Sequence, residues 1–348
     1  MSYLLLDAAF LMCPRPLELP VEIRHDAVRE YITRLLDLSR LRTTCRSANF
    51  LRDEQLTLTL HELGGYPFHS SISEALEFCS DEFDIQVEDA NRLANFLIER
   101  STLVEEIGNF HDVVIDEYSV SPVFENQPHT RLFEHLVRAV TLATYALWDG
   151  NKLKANTFLA SALPTKTQKD LTFNLTVSIA ERHDGEIYEP SEKLAVTFPL
   201  HKDTASYLKA LDVGALLTLG TEHALVDAFV AVAVRAETDP EERAVQIREW
   251  LSLGEDFLIS ASCNGFLHEQ GKMQRLARAC ADVLIGRNQA KSHHLRAGKG
   301  ANEQQRTRDQ WAAWRHDLDD EFHLHYWRSG NQIELANVVV HNNFDITY

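Results

Sequence analysis

Apolar residues recur every three to four positions through most of the first 150 residues. The segments "AVREYITRLLDLSRL", "EDANRLANFLIERSTLVEEI" and "RLFEHLVRAVTLATYALWDGN" each gather them on one face of a 3.6-residue period, which predicts amphipathic helices, the last ending at a C-cap at Gly150. One short buried strand is predicted ahead of them, at Tyr3 to Leu6. From Leu171 the period changes to two. Leu171, Phe173, Leu175, Val177 and Ile179 alternate with polar residues, and Leu194, Val196, Phe198 and Leu200 repeat the pattern after a turn rich in Asp, Gly and Pro. This predicts a hairpin with one buried face. The next helix, in "TDPEERAVQIREWLSL", has Asp239 as N-cap, Pro240 at N1 and two glutamates in its first turn, and Gly254 marks a boundary after it.

The last part opens with "DFLISASCNGFL", read as a strand and turn. A helix follows in "KMQRLARACADVLIG", with Met273, Leu276, Cys280 and Leu284 on one face, and then a glycine-containing loop. Two alternating runs, "EFHLHYW" and "IELANVVVH", flank "RSGNQ" and predict a hairpin. Alternation puts Phe322, Leu324 and Tyr326 on its core face and His323, His325 and Trp327 on the other. Together these patterns predict an α+β chain in three parts: an acidic, mainly helical part over 1–150, a middle part with a β-hairpin over 151–254, and a part with a small antiparallel sheet and helices over 255–348.

Charge changes this picture in one place. The 348 residues carry a formal charge of −18, which excludes a protein that coats nucleic acid or an anionic membrane with its whole surface. No lysine occurs before Lys152, so the cations of the first third are all arginines, suited to bidentate pairs at interfaces with partner proteins. Between Gly271 and His316, however, ten lysines and arginines face three acids. Within this stretch Arg287, Lys291, Arg296, Lys299, Arg306 and Arg308 are candidate nucleic-acid contacts, and Gly298 and Gly300 would let backbone amides approach a phosphate. The alternative is a loop that pairs with the acids of its own chain. "AGKGAN" lacks the P-loop spacing.

The five cysteines, Cys13, Cys45, Cys79, Cys263 and Cys280, form no CxxC pair, which points to reduced thiols in the cytoplasm with neither metal nor cofactor expected. "MSYLLLDAAFLMCPRP" lacks the basic start of a signal peptide, and "ALVDAFVAVAV" is too short to span a bilayer, so no membrane association is expected.

Candidate chemistry comes from histidines and acids. His323 and His325, at i and i+2, could hold a metal with His341 as third ligand, or act without metal as acid and base. Asp7 after "YLLL", with Asp112 and Asp116 around "VVI", places acids at strand ends as metal-dependent nucleases do, although chance placement explains this better in so acidic a segment. "GGYPFHSSISEALEF" has no nucleophile elbow, and Ser71 or Ser73 reads as a helix cap.

Residues 255–348 resemble the RelE-type toxin fold of bacterial ribosome-dependent ribonucleases. The order of "FLISAS", the basic helix, the loop, the strand entered through "WRHDL", "EFHLHYW" and "IELANVVVH" running into "HNNFDITY" carries the resemblance. It implies a small antiparallel sheet packed on helices, with RNA bound across the sheet and cleaved by 2′-hydroxyl attack without a metal. By the same resemblance His341 would be the general acid or base, Arg315 and His323 would bind phosphate, and Phe344 or Tyr348 would stack on a base.

Two functions follow as expectations. One is a non-catalytic or accessory subunit of an intracellular bacterial assembly acting on nucleic acid, of the kind used in anti-phage defence, with the acidic first part docking partners and the basic loop touching nucleic acid. The alternative is a metal-independent RelE-like endoribonuclease built on His341. Without a strong catalytic motif, the first is the leading expectation.

Overall fold

In the computed structural model, which describes residues 1–79, 82–108, 112–122, 124, 129–149, 152–162, 170–183, 186–188, 191–237, 240–296 and 303–347, the chain is α+β. Its contacts group into two compact units, one made of Ser2–Ser39 with Ala48–Asp203 and the other of Met1, Arg40–Ser47 and Thr204–Tyr348. Among the described residues no helix is long and apolar enough to cross a membrane.

The first unit is built on a four-stranded parallel sheet that the sequence revealed only in part. Its order is Thr102–Leu103, Ala48–Arg52, Ser2–Leu6, Thr157–Ala160, with every neighbouring pair parallel. The expected strand at Tyr3 to Leu6 is present and central. Parallel strands are covered on both faces, so they show apolar runs instead of alternation, and runs this short leave no period to read. The expected helices appear as Val21–Thr44, Val87–Arg100 and Thr130–Ala146. Phe68, not a serine, precedes the first turn of the helix His69–Glu77, so Ser71 and Ser73 lie inside it and do not cap it.

The expected hairpin is also here. Leu171–His183 pairs antiparallel with Ser191–Phe198 on one side, Leu175 facing Leu194, and with Asp112–Ser121 on the other. Phe173, Val177, Val196 and Phe198 from this sheet join Leu5, Leu51, Leu136, Val140 and Leu159 in one hydrophobic core.

The second unit surrounds the helix Glu222–Arg235, which is buried along most of its length. That burial includes Asp227, whose carboxylate accepts hydrogen bonds from the backbone N–H of Ser47 at 2.7 Å and of Arg46 at 3.2 Å. A buried carboxylate is tolerated where such donors replace water. The sheet of this unit has the order Leu251–Leu253, Gln332–Val340, Phe322–Ser329, Trp311–Asp317, Ser292–His294. The hairpin of Phe322–Ser329 and Gln332–Val340 turns at Gly330, which has a positive φ of 57° that suits glycine. "FLISAS", expected as a strand, is instead part of the helix Phe257–Cys263, where Phe257 and Ala261, four residues apart, share the buried face. Asp239, Gly150, Gly298 and Gly300 lie outside the described residues.

Candidate functional site

The C-terminal residues singled out from sequence sit on one face of the hairpin sheet. Register places Arg315 opposite His325 and His325 opposite Asn337, with Asp317 opposite His323 in the next row. The division of faces is as expected, but the histidine face is covered too. Trp327 Nε1 donates to Thr347 O at 2.8 Å, and Asn337 Nδ2 donates to Asp345 O at 3.2 Å. Ile346 completes a small apolar cluster with Leu295, Ala313, Trp327 and Ala336, and Phe344 packs against it. The chain's own last residues therefore occupy the space expected for a substrate, and Phe344 serves packing where base stacking was expected. Tyr348 lies outside the described residues.

This cover sets the electrostatics. His325 is completely buried and its Nδ1 lies 2.9 Å from Asp345 O; burial pushes its pKa down to about 4. Burial also lowers His323, whose Nδ1 is 2.9 Å from Asp317 Oδ1. The His341 ring, on an exposed residue, is centred 4.4 Å from that of His323. These imidazoles are brought together, but two of the three are buried, and the tail caps His325.

The basic segment largely folds back on its own unit. Arg308 makes a bidentate pair with Glu334 at 3.1 and 2.9 Å and lies over the Trp327 ring. Arg275 pairs with Asp319 at 3.0 Å, and Arg287 Nη2 donates to Ala236 O at 2.5 Å. Arg296 and Arg306 are half-buried on the two sides of the loop, held by a bridge from Arg296 to Gln305 and a backbone bond from Arg306 to Leu295 O. Arg278, Arg287 and Lys291 are exposed, and Lys299 lies outside the described residues.

A second constellation, mostly missed from sequence, forms at the carboxyl edge of the parallel sheet. Asp7 ends the strand Ser2–Leu6, Asp53 ends Ala48–Arg52, and both are completely buried. The helix Thr130–Ala146 drives His135 between them, with Nδ1 3.3 Å from Asp7 Oδ1 and Nε2 2.8 Å from Asp53 Oδ1. Ser161, just past the strand Thr157–Ala160, donates to Asp7 Oδ2 at 2.8 Å. Three neighbouring strand ends thus converge where the strand order reverses, the point at which open α/β sheets bind ligands.

Arg138, nearly one helical turn beyond His135, extends the group outward. Its Nε is 3.3 Å from Asp53 Oδ2, and its Nη2 is 3.2 Å from Glu54 Oε1 and 3.5 Å from Glu105 Oε1. Four carboxylates, Asp7, Asp53, Glu54 and Glu105, therefore face two cations. Burial opposes a charged His135, but hydrogen bonds and charge from Asp53 and Asp7 outweigh it and raise the pKa to about 9. Burial, with the charges of Asp53 and Glu54, raises Glu105. Two carboxylate oxygens in this group, Asp53 Oδ2 and Glu105 Oε2, are buried without a hydrogen-bond partner.

Asp7 was a sequence candidate; Asp112 and Asp116, weighed with it, lie on the antiparallel sheet instead. The available signal for His135 was its place on the apolar stripe of its helix, between the buried Leu132, Leu136 and Ala139. A cavity of about 350 Å³ opens on the same edge, lined in part by Ala9, Met12, Cys13, Arg15, Arg34 and Leu132. Burial pushes the Cys13 thiol up to about 12, so it is no nucleophile at neutral pH. Elsewhere in this unit His25, Cys79 and Glu82 bring potential ligand atoms within 4.8 Å of one another, held by a His25–Glu82 contact of 2.7 Å.

Neither the protein-family models, nor the curated proteins, nor the solved structures contain a match to this chain.

Proposed function

We propose that this chain cleaves phosphodiester bonds of nucleic acid at the carboxyl edge of its parallel sheet, assisted by a divalent cation. The observation that carries the reading is two buried carboxylate oxygens that accept no hydrogen bond, Asp53 Oδ2, which has Arg138 Nε 3.3 Å away, and Glu105 Oε2, in a group with more carboxylates than cations. Hard cations such as Mg²⁺ and Mn²⁺ take oxygen ligands of this kind, generate a nucleophilic hydroxide and neutralise phosphate. Asp53, Glu105 and Glu54 would hold the cation. His135, whose two ring nitrogens face Asp7 and Asp53, is a positioning residue that keeps those carboxylates in place. Arg138, a quarter exposed, is the group available to stabilise charge on the phosphate.

The test is cleavage of labelled single-stranded RNA and DNA by the full chain with Mg²⁺ or Mn²⁺. Cleavage should need the cation and fall by ~10²-fold or more in Asp53→Asn and Glu105→Gln. Wild-type protein that neither cleaves either strand nor binds Mn²⁺ would sink the proposal.

A second reading, the non-catalytic subunit, is favoured by the exposed cations Arg278, Arg287 and Lys291 on and just after the helix Gln270–Ile285. It expects salt-dependent nucleic-acid binding that weakens when all three become glutamine, with no cleavage under any cation.

A further inference from the structure

The cavity beside the carboxylate group has its own chemistry, which the cleavage reading does not use. Its walls are mostly apolar, from Ala9, Met12, Leu19, Leu63 and Leu132, yet two arginines reach it. Arg15 is fastened: its Nε donates to Gly64 O at 2.6 Å and its Nη1 donates to Glu18 Oε1 at 2.9 Å. Gly64, with a φ of +65°, permits this because a Cβ there would collide with the Arg15 guanidinium.

Arg34 is different. Its guanidinium lies over the Phe10 ring at 5.5 Å, its Nε is buried without a hydrogen-bond partner, and its nearest acid is Glu30, 3.9 Å away and 69% exposed. A contact that long to a solvated carboxylate poorly compensates a guanidinium on a side chain only 23% exposed. Desolvation accordingly lowers the Arg34 pKa. An orphaned donor of a planar, forked cation on an apolar cavity is the arrangement that an oxyanion completes.

We infer that this cavity binds a phosphate monoester, with Arg34 as its anion ligand, Arg15 as a second cation and the apolar walls holding the body of the molecule. Its size falls in the range of small-ligand pockets, about 300–1,000 Å³. Phosphate is favoured over a carboxylate because two guanidinium groups share one cavity, while the two acids on its lining, Glu18 and Glu30, are 67% and 69% exposed and screened by water. A free nucleoside monophosphate and the phosphorylated end of a strand present the same group. The inference does not rest on cleavage.

The experiment is calorimetric titration of the full chain, without added divalent cation, using adenosine monophosphate, adenosine, inorganic phosphate, benzoate and a short oligonucleotide with or without a 5′-phosphate. Saturable binding of the monophosphate is expected, at least ~10-fold tighter than adenosine, and weakened at least ~10-fold in Arg34→Met. Ala27→Phe, which fills the cavity and leaves both arginines in place, should abolish binding and serves as the second variant if Arg34→Met does not fold. A preference for the 5′-phosphorylated strand over the monophosphate would identify strand ends as the source, and the reverse a free nucleotide. No saturable binding of either phosphate-bearing probe, unchanged binding in Arg34→Met or Ala27→Phe, or benzoate binding as tightly as the monophosphate would overturn the inference. Failure of cleavage with intact monophosphate binding would count against the catalytic proposal alone.

Discussion

His135 in the first unit and His325 in the second are both almost completely buried, and burial disfavours the charged form of each; yet one titrates at about 9 and the other at about 4. The difference lies in what faces the ring. His135 stands between two carboxylates at 2.8 and 3.3 Å, whereas His325 faces a backbone carbonyl, with His323, Arg315 and Arg306 adding positive charge. Desolvation sets the penalty, and the partner's charge decides whether it is overcome. The same type of residue is thus an imidazolium brace in one unit and a neutral packing element in the other.

The sharpest way to break this contrast is to remove a carboxylate. Asp53→Ala leaves His135 with one partner and Arg138 with one fewer, and should destabilise the first unit by about 3–5 kcal/mol, the usual cost of breaking a buried ion pair. Amide exchange across Ser2–Leu6 would measure it. A loss below about 1 kcal/mol would mean that the network is not held together by charge.

Opposite pH dependences come next. A raised His135 stabilises its unit fully below about pH 6.5, and this is lost as pH rises through about 9; the difference is on the order of 3 kcal/mol. A depressed His325 stabilises its unit above about pH 6.5, and this is lost as pH falls through about 4, again on the order of 3 kcal/mol. Exchange rates followed separately in the two units from pH 4 to 9 should show alkali weakening the first and acid the second. Substituting asparagine at His135 should flatten the first curve and phenylalanine at His325 the second. Slopes of the same sign in both units would end the comparison.

The smallest effect tests the cause of the low value at His325. Deleting residues 342–348 removes the Ile346 side chain from its cluster, a loss of about 2 kcal/mol, and admits water to the histidine face. An NMR titration should then find His325 moved up toward about 6.5. If it stays near its original value, the sheet and not the tail is responsible.

Legibility followed the range of the interaction. The amphipathic helices and both hairpins could be read because side-chain periodicity is set by backbone geometry within a few residues, whereas "FLISAS", expected as a strand, is helical and the buried helix Glu222–Arg235 shows no single apolar stripe. The faces were legible for the same reason: Phe322, Leu324 and Tyr326 do oppose His323, His325 and Trp327. "ANFLR" and "TL" carry no such period, so the parallel sheet stayed hidden apart from its central strand. With it stayed hidden the site at its edge, where the partners of His135 lie 128 and 82 residues away along the chain.

The basic segment shows the same limit from the other side. Its excess charge was plain in the composition, but composition could not say that Arg308 would be spent on Glu334 or Arg275 on Asp319. By itself, then, the sequence determined the amphipathic helices, the hairpins and which hairpin residues share a face. Only the tertiary structure decided which faces are covered, which buried arginine donors lack a hydrogen bond and which histidine carries a charge. Burial and pKa depend on neighbours through space, and no local period encodes them.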